Sequence, residues 1–352
     1  MAPAIFVVGA IAICKILNLI GDKPMPSAVL FHILGAMRIL IVTIGVITSG
    51  ASVSSANSFP RSVSHAFGET IISKEPVRVV TLGWSGEDAL LALGIQPVGM
   101  TRYRFFESGM FPWVEARIGN SAPLLLSGEL DYEEIAALRP DLILSVYSGM
   151  DHLSFQRLSA IAPTVAYRSG PWKADWKEQL ELVGDAVGKL DQARVLVSKT
   201  TAVLSTLADT YPVMAGKSFT FGTYFGGGNN VVIYLPSDPR VKALTEMGFV
   251  SSAGVADLEK KHPGETSVAV SLEEISLIDA DVLIMWYGEG ARAAAEAQPL
   301  FNTVGAVKRG SYVALEDPVD VWSTSALSVL SIPYGFPRFV PRLAEAARRS
   351  QE

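Results

Sequence analysis

Aromatic and arginine side chains follow several predicted strands of this sequence, close to the residue at which each strand ends. In the first half of the chain the residues in these positions are Trp84, Arg102, Tyr103, Arg104 and Tyr147. In the second half they are Tyr224, Asn230, Trp286, Tyr287 and Trp322. The carboxyl ends of the strands are where open α/β sheets bind their ligands, so we predict that these side chains line one binding site.

The residue types in this set indicate a large ligand with apolar and anionic parts. Aromatic rings with polar tips bind extended, partly apolar molecules. Arginine adds a fixed charge and a planar fork of donors that matches carboxylates and similar oxygen anions. Core packing is the second interpretation for each aromatic residue, above all for Trp286, which ends an apolar strand. The glycines at 226–228 fit either an anion cradle or a tight turn between two strands.

The sequence contains no recognisable catalytic motif. We find no nucleophile elbow, no Walker-type phosphate loop and no pair of acids at a strand end, and we therefore do not expect an enzyme. Beyond residue 56 the histidines are His65, His152 and His262, which fall on different predicted elements, whereas a zinc or manganese site needs clustered ligands. The single cysteine, Cys14, gives no disulfide framework and no thiol site.

Residues 1–56 have the order of a secretory signal. Met37-Arg38 is a short basic start, 39–47 is an apolar stretch, and Ser54-Ser55-Ala56 offers the small residues that a signal peptidase accepts, which predicts cleavage after Ala56. A retained membrane anchor over 28–47 is the alternative, because a span needs roughly 20 apolar residues. We expect a protein that is exported to the periplasm.

The remaining chain is acidic. The full sequence has 29 Lys and Arg against 35 Asp and Glu, and the leader holds three of the basic and one of the acidic residues, which leaves a net charge of −8. A negative surface repels a phosphate backbone, so we expect no nucleic-acid partner.

Predicted strands and helices alternate on both sides of a long proline-free segment. This alternation is typical of an α/β fold with largely parallel sheets and helices on both faces. We predict an N-terminal α/β lobe over 57–171, a linking helix over 172–210 with a break near Gly188, and a C-terminal α/β lobe over 211–352. The apolar residues of the linker recur at helical spacing, which indicates a stiff connection.

One helix–strand unit occurs in both halves. Asp131-Tyr-Glu-Glu-Ile in the first half is matched by Ser271-Leu-Glu-Glu-Ile in the second, and predicted strands opened by Asp141 and Asp281 follow. We therefore predict two lobes of similar construction.

Six segments together carry a resemblance to a known family. They are His65-Ala-Phe-Gly-Glu-Thr-Ile-Ile, Pro76-Val-Arg-Val-Val-Thr-Leu, Ala92-Leu-Gly-Ile-Gln-Pro-Val-Gly, Ala137-Leu-Arg-Pro-Asp-Leu-Ile, Leu158-Ser-Ala-Ile-Ala-Pro-Thr-Val, and the region 327–339. By their order and spacing the chain resembles, from about residue 65 to about residue 346, the helical-backbone solute-binding proteins of iron–siderophore and cobalamin importers.

The resemblance implies two Rossmann-like lobes joined by a single long α-helix, with the ligand between them. It implies a ferric siderophore as the ligand, with the iron held by the chelator, and hence neither a cofactor nor a metal bound by the protein. It also implies delivery to the permease subunits of an ABC transporter in the inner membrane, and we expect a monomer. Cobalamin or haem on the same fold is the alternative, because aromatic side chains suit a tetrapyrrole as well.

Some site residues match the family's pattern. Tyr103-Arg104 matches a Tyr-Arg pair that siderophore binders of the family carry after the second strand. Trp322, which we predict to lie in a polar loop, matches a position near the cleft. Some siderophore binders have a tryptophan in the loop before the second echoed helix, and residues 251–266 contain none, which leaves the siderophore class open.

The resemblance also assigns a docking role to one glutamate on each lobe. In the family these glutamates enter arginine pockets of the permease, and the matching positions are Glu133 and Glu273. Glu134 and Glu274 are the alternatives. The plain interpretation of all four is that acidic residues are favoured in a first helical turn by the helix dipole.

Overall fold

The computed structural model describes residues 58–119, 122–127 and 130–351. The predicted signal peptide, 1–56, lies outside these ranges. Within them, no helix is both long enough and apolar enough to cross a bilayer.

The first lobe is a five-stranded parallel sheet preceded by a β-hairpin. The hairpin pairs β1 (Arg61–His65) with β2 (Gly68–Ile72). The sheet has the order β5-β4-β3-β6-β7, and its strands are β3 (Val79–Gly83), β4 (Gly99–Thr101), β5 (Leu124–Leu126), β6 (Leu142–Tyr147) and β7 (Thr164–Ala166). The helices are α1 (Gly86–Ala92), α2 (Pro112–Glu115), α3 (Tyr132–Ala137) and α4 (His152–Ser159).

The strand order places a crevice between β3 and β6. The chain leaves β3 toward β4 on one side and leaves β6 toward β7 on the other, so the connections diverge at this point. Both strands are buried along nearly their whole length, as expected of apolar runs in a sheet that is covered on both faces. Divergent connections at neighbouring strand ends form the usual ligand crevice of such sheets.

Two consecutive helices follow the first lobe. Helix α5 (Trp176–Ala186) is separated from the 21-residue helix α6 (Leu190–Thr210) by Gly188, whose φ of 74° ends the first helix where the sequence predicted a break. The beginning of α6 packs on the core of the first lobe through Ala193, and its end packs on the second through Leu204. Helix α6 is therefore the long helix that joins the lobes.

The second lobe contains a six-stranded mixed sheet of order β11-β9-β8-β12-β13, with β10 also paired to β8. Its strands are β8 (Ser218–Thr223), β9 (Asn230–Tyr234), β10 (Val250–Ser251), β11 (Ser267–Ser271), β12 (Val282–Trp286) and β13 (Tyr312–Leu315). Its helices are α7 (Pro239–Thr245), α8 (Ala253–Lys261), α9 (Ala291–Glu296), α10 (Gly305–Arg309), α11 (Pro318–Ser325) and α12 (Ser331–Arg349), with 3₁₀ helices at Pro212–Met214, Leu272–Ile278 and Phe301–Thr303.

This lobe departs from the prediction in three places. Strands β9 and β11 are antiparallel to their neighbours, because the short link from β8 to β9 leaves no room for the crossover that parallel strands need. The helix of the second repeated unit, which is predicted to begin at Ser271, is a 3₁₀ helix, Leu272–Ile278. Trp322 lies in helix α11 and not in a loop, since Asp317 caps the helix and Pro318 occupies its first turn.

Residues of the C-terminal region pack into the cores of both lobes. Ala326, Val329 and Leu330 pack into the core of the first lobe, whereas α12 packs into the second through Phe336 and Phe339. The link between α11 and α12, residues 326–330, therefore crosses to the first lobe and returns. We call it the crossing segment.

Candidate functional site

Three tryptophan rings, Trp84, Trp172 and Trp322, lie in contact at the carboxyl ends of the strands, and we call them the aromatic wall. Two cavities lie on either side of this wall. One, of about 360 Å³, lies in the first lobe at the crevice between β3 and β6. The other, of about 620 Å³, is lined by residues of both lobes. Trp84 lines the first cavity and Trp322 the second, and their ring centroids are 5.0 Å apart. The two cavities therefore adjoin, and together they form the candidate site, which we call the cleft.

Trp84 is held by a tight turn that follows β3. Gly83 before it and Ser85 after it both have left-handed backbones, with φ of 83° and 56°. A side chain at Gly83 would collide with the Tyr147 carbonyl, and the Trp84 amide donates to that carbonyl at 2.9 Å. Ser85 is strained as a non-glycine residue, and its hydroxyl donates to Gln179 Oε1 at 2.7 Å. The turn thus fixes Trp84 against the end of β6.

Trp172, which the sequence places at the start of the predicted linker, completes the wall. Its backbone is also left-handed, with φ of 58°, and its amide donates to the Ser148 carbonyl at 3.1 Å. The indole covers Gly149, where any side chain would meet it, and its centroid lies 5.0 Å from that of Trp84. The side chain is 38% exposed, so it is open to a ligand.

The loop after β4 brings one arginine and one phenylalanine to the cavity between the lobes. Arg104 lines this cavity together with Phe105, whose ring is 62% exposed and 4.3 Å from that of Trp322. Arg102 is exposed and lines neither cavity of the cleft, and its stem lies beside Gly109. In the described ranges neither guanidinium has a carboxylate partner. Arg104 is therefore the arginine that is placed to meet an anionic group.

The structure buries the four tyrosines that the sequence assigned to the ligand. Tyr103, Tyr147, Tyr224 and Tyr287 are each at most 3% exposed. The Tyr224 hydroxyl donates to the Gly228 carbonyl at 2.9 Å, and the Tyr312 hydroxyl donates to that of Tyr287 at 2.6 Å. Tyr287 nevertheless lines the cavity between the lobes, whereas Tyr103, Tyr147 and Tyr224 line neither cavity of the cleft. Burial leaves these three rings little surface for a ligand, and direct contact by Tyr287 stays a prediction.

Tyr147 instead supports the wall from beneath. Its ring meets Trp84 and Trp172 at centroid distances of 6.3 and 5.4 Å, in edge-to-face orientations. Burial raises the pKa of its hydroxyl to about 12, so the group is neutral at physiological pH.

Two predicted residues of the second lobe differ in their placement. Trp286 is half-buried, lines the cavity between the lobes and donates from Nε1 to the Tyr234 hydroxyl at 3.1 Å. Phe225, which is 69% exposed, meets it edge to face at 5.6 Å. Asn230 is exposed at the start of β9, where it pairs with Ser271, and it lines neither cavity of the cleft.

A buried ion pair, for which the sequence carries no local signal, lies where the lobes meet. Arg240 donates to both oxygens of Asp238 at 2.7 Å, and its guanidinium carbon is 3.6 Å from the Tyr234 ring centroid. Burial alone would lower the pKa of Arg240, but the Asp238 carboxylate outweighs it and raises that pKa. The pair also acts electrostatically on Tyr147 of the first lobe. Because the two charges offset each other, the pair adds little net charge beneath the wall.

Glu133 and Glu273 occupy equivalent places in their lobes. Asp131 Oδ1 accepts from the Glu133 amide at 3.0 Å, and Ser271 Oγ accepts from the Glu273 amide at 3.3 Å. Both glutamate side chains are exposed beside these caps. The echoed sequence therefore produces the same local arrangement at its first turn in both lobes.

The residues that the structure describes include no group of three or more His, Cys, Asp or Glu side chains that could hold a metal ion. His65, on β1, is part of the hairpin: its Nε2 is 2.9 Å from the Thr70 hydroxyl.

The chain is similar to known proteins both in sequence and in structure. The profile of the family described as "Periplasmic binding protein" matches residues 79–318. The crystal structure of PiaA from Streptococcus pneumoniae in complex with ferrichrome is 30% identical, with a TM-score of 0.75 over 82% of this chain and 99% of that one.

Two curated relatives from Bacillus subtilis are similar over most of their length. The "Probable siderophore-binding lipoprotein YfiY" is 28% identical over 288 residues, which are 79% of this chain and 86% of the relative. The "Fe(3+)-citrate-binding protein YfmC" is 25% identical over 284 residues, which are 76% of this chain and 84% of the relative.

Proposed function

The chain belongs to the periplasmic binding protein family, and from this membership we propose that it is the solute-binding component of an iron–siderophore ABC importer. It captures a ferric siderophore between its two lobes and delivers it to the permease. The observation that carries the proposal is the cleft itself, in which an aromatic wall lies beside Arg104, an arginine without a carboxylate partner among the described residues. The chain is also similar to a ferrichrome-bound protein over 82% of its length.

The chemistry of the cleft suits an iron chelate. Trp84, Trp172 and Trp322 offer flat apolar surfaces for the organic shell of the chelate. Arg104 offers charged donors to the oxygen atoms around the ferric ion. The iron is cargo that the chelator holds, so the protein supplies no ligand to it and needs no cofactor. The role is capture and delivery, not catalysis.

Delivery to the permease requires a docking surface on the outside of each lobe. Glu133 and Glu273 are exposed acidic side chains at matching positions of the two lobes. We assign them to docking on basic pockets of the permease subunits, one for each lobe. The protein then acts outside the cytoplasm, in the periplasm, as an exported monomer.

A ligand screen tests this function. Ferric hydroxamates, catecholates and citrate-type chelates are added singly to the exported form, and Trp fluorescence and Tm are measured. The cognate chelate is expected to quench fluorescence with a stoichiometry of one, and at one hundred times its Kd to stabilise the fold by about 2.7 kcal/mol. The iron-free chelators serve as controls. A response to cobalamin or haem, with none to any ferric chelate, would overturn the assignment.

A further inference from the structure

Two neighbouring carboxylates are buried directly behind the Trp84 turn. Glu87 and Asp88 lie in the first turn of α1 and are 1% and 0% exposed. In the described part of the chain neither forms an ion pair with Lys, Arg or His, and Asp88 Oδ1 is buried without a hydrogen-bond partner. Burying such groups costs free energy, so the pair is a costly feature beside the cleft.

Glu87 joins the two loops that carry the first-lobe ligand residues. The Tyr103 hydroxyl donates to Glu87 Oε1 at 2.6 Å. The same hydroxyl lies 3.3 Å from the Gly83 carbonyl and accepts from the Ser85 amide at 3.4 Å. Gly83 and Ser85 flank Trp84, and Tyr103 directly precedes Arg104. One hydroxyl held by Glu87 therefore fixes the loop after β3 to the loop after β4.

Asp88 reaches the crossing segment. Its Oδ2 accepts from Trp113 Nε1 at 2.8 Å and from the Ser328 hydroxyl. Ser328 Oγ also accepts from the Ser331 amide at 2.9 Å, at the start of α12. Asp88 thereby ties α1 of the first lobe to the link between α11, which carries Trp322, and α12.

We propose that Glu87 and Asp88 are positioning residues of the ligand site: Glu87 holds the Trp84 and Arg104 loops together through Tyr103, and Asp88 holds the crossing segment through Ser328. Neither side chain lines the cleft, so both act through the residues that do. The inference rests on the proposed function, because it concerns the same cleft.

The polar and charged groups around Glu87 and Asp88 determine which substitution at Glu87 is conservative. The groups that face it are the Tyr103 hydroxyl from the β4 loop, Thr81 from β3, Trp113 from α2, Ser328, and the exposed Arg117, which is the cation that acts on Asp88. Burial raises the pKa of Glu87 to about 7, and burial together with the Glu87 charge raises that of Asp88. With a pKa of about 7, Glu87 is about half protonated at neutral pH, and a neutral amide imitates the protonated form.

Four variants test the role of Glu87, with affinity for the ferric siderophore found in the screen as the first readout. Glu87→Ala and Tyr103→Phe are each expected to weaken binding about tenfold, since each removes the buried hydrogen bond between Tyr103 and Glu87 that joins the two loops. The double variant is expected to be no weaker than the worse single variant, because both changes break the same link. Glu87→Gln keeps an acceptor for Tyr103 and is expected to bind like the wild type.

Leu91→Ala is the matched control. Leu91 lies on the same helix in the same core, its truncation is expected to lower Tm, and it makes none of the side-chain hydrogen bonds that join the two loops. It is expected to leave the affinity unchanged. If it weakens binding as much as Tyr103→Phe does, the effect is general loosening of the lobe and the positioning role is wrong.

Hydrogen exchange of the protein without ligand gives a second readout. Glu87→Ala and Tyr103→Phe are expected to speed exchange at amides 83–85 and 101–104, and Ser328→Ala at 326–331, relative to Leu91→Ala. Wild-type affinity in both Tyr103→Phe and Glu87→Ala, or failure of Glu87→Gln to rescue, would overturn the inference. Failure of the wild type to bind any ferric siderophore would instead overturn the proposed function.

Discussion

The indole rings of Trp84 and Trp322 meet edge to face across the cleft, with centroids 5.0 Å apart and an interplanar angle of 79°. One ring belongs to the turn after β3 in the first lobe and the other to α11 in the second. Aromatic pairs of this geometry contribute about 0.5–1.5 kcal/mol beyond the area they bury. Trp84 lines one cavity of the cleft and Trp322 the other, so a chelate bound in the cleft is expected to change the environment of these rings.

We expect Trp84→Phe to weaken ferric siderophore binding several-fold and to remove much of the fluorescence quenching. The smaller ring covers less of the chelate, and the lost indole is one of the emitters beside the iron. Titration followed by intrinsic fluorescence measures both effects. Trp176→Phe is the control, because Trp176 is 2% exposed in the core of the second lobe. Equal loss of quenching in the two variants would place the chelate elsewhere.

Arg104→Ala is expected to weaken the binding of an anionic ferric chelate by about tenfold or more, the usual loss for a hydrogen bond to a charged group. Arg102→Ala is the matched control on the same loop, and a smaller effect is expected because Arg102 lines neither cavity of the cleft. Calorimetric titration of both variants gives the comparison. Unchanged affinity in Arg104→Ala would remove this residue from the site.

The double substitution Glu133→Ala with Glu273→Ala is expected to abolish siderophore-dependent iron uptake while the affinity for the chelate stays at the wild-type level. Uptake of radioactive iron by cells and titration of the purified protein measure the two properties separately. The neighbouring pair Glu134→Ala with Glu274→Ala is the comparison, and its affinity for the chelate is measured as well, because Glu134 lines the first-lobe cavity of the cleft. If uptake survives the first double substitution and fails in the second while the affinity of the second stays at the wild-type level, the docking role belongs to the neighbours.

His65 makes the fold sensitive to acid. Its Nδ1 accepts from the Phe67 amide at 3.2 Å, and the Thr70 hydroxyl, which donates to the Thr164 carbonyl at 2.6 Å, must accept from Nε2. The ring is therefore neutral, and burial lowers its pKa from the usual 6.5. The stability it contributes is present above pH 6.5 and is lost as the pH falls below that value.

Urea unfolding between pH 5 and pH 7.5 measures this loss as a fall in the free energy of unfolding. His65→Gln is expected to flatten the dependence, because the amide does not titrate. His152→Gln, at an exposed position of α4, is the control and should keep the wild-type slope. A wild-type slope in His65→Gln would show that other groups carry the acid sensitivity.

Glu87 is expected to make the free energy of unfolding depend on pH in the opposite direction to His65. Burial raises the pKa of its carboxyl from 4.5 to about 7 in the folded protein. The stability linked to its proton is present below pH 4.5 and is lost as the pH rises through about 7, by an amount on the order of a few kcal/mol. Unfolding curves from pH 5 to pH 8.5 should show this loss in the wild type and a shallower one in Glu87→Gln. Parallel curves would contradict the assigned protonation.

Local sequence patterns determined the architecture. Alternating apolar strands and capped helices indicated two α/β lobes, and the repeated Glu-Glu-Ile unit placed Glu133 and Glu273 at matching first turns. Gly188 marked the break before α6. These features depend on the spacing of apolar residues and on turn chemistry, both of which are local properties of the chain.

Tertiary packing decided which strand-end side chains line the cleft. Tyr103 and Tyr147 satisfy the same pattern as Trp84, yet their rings fill the core, because the surrounding sheet and helices determine which side of a strand end is covered. Trp172 joins the wall only through a left-handed backbone that seats it over Gly149. The contact of Asp88 with Ser328 spans 240 positions, so no local pattern could reveal it. The sequence by itself thus determined the lobes and the sheet edge where we expect a ligand, whereas contacts between distant segments determined which side chains are exposed at that edge.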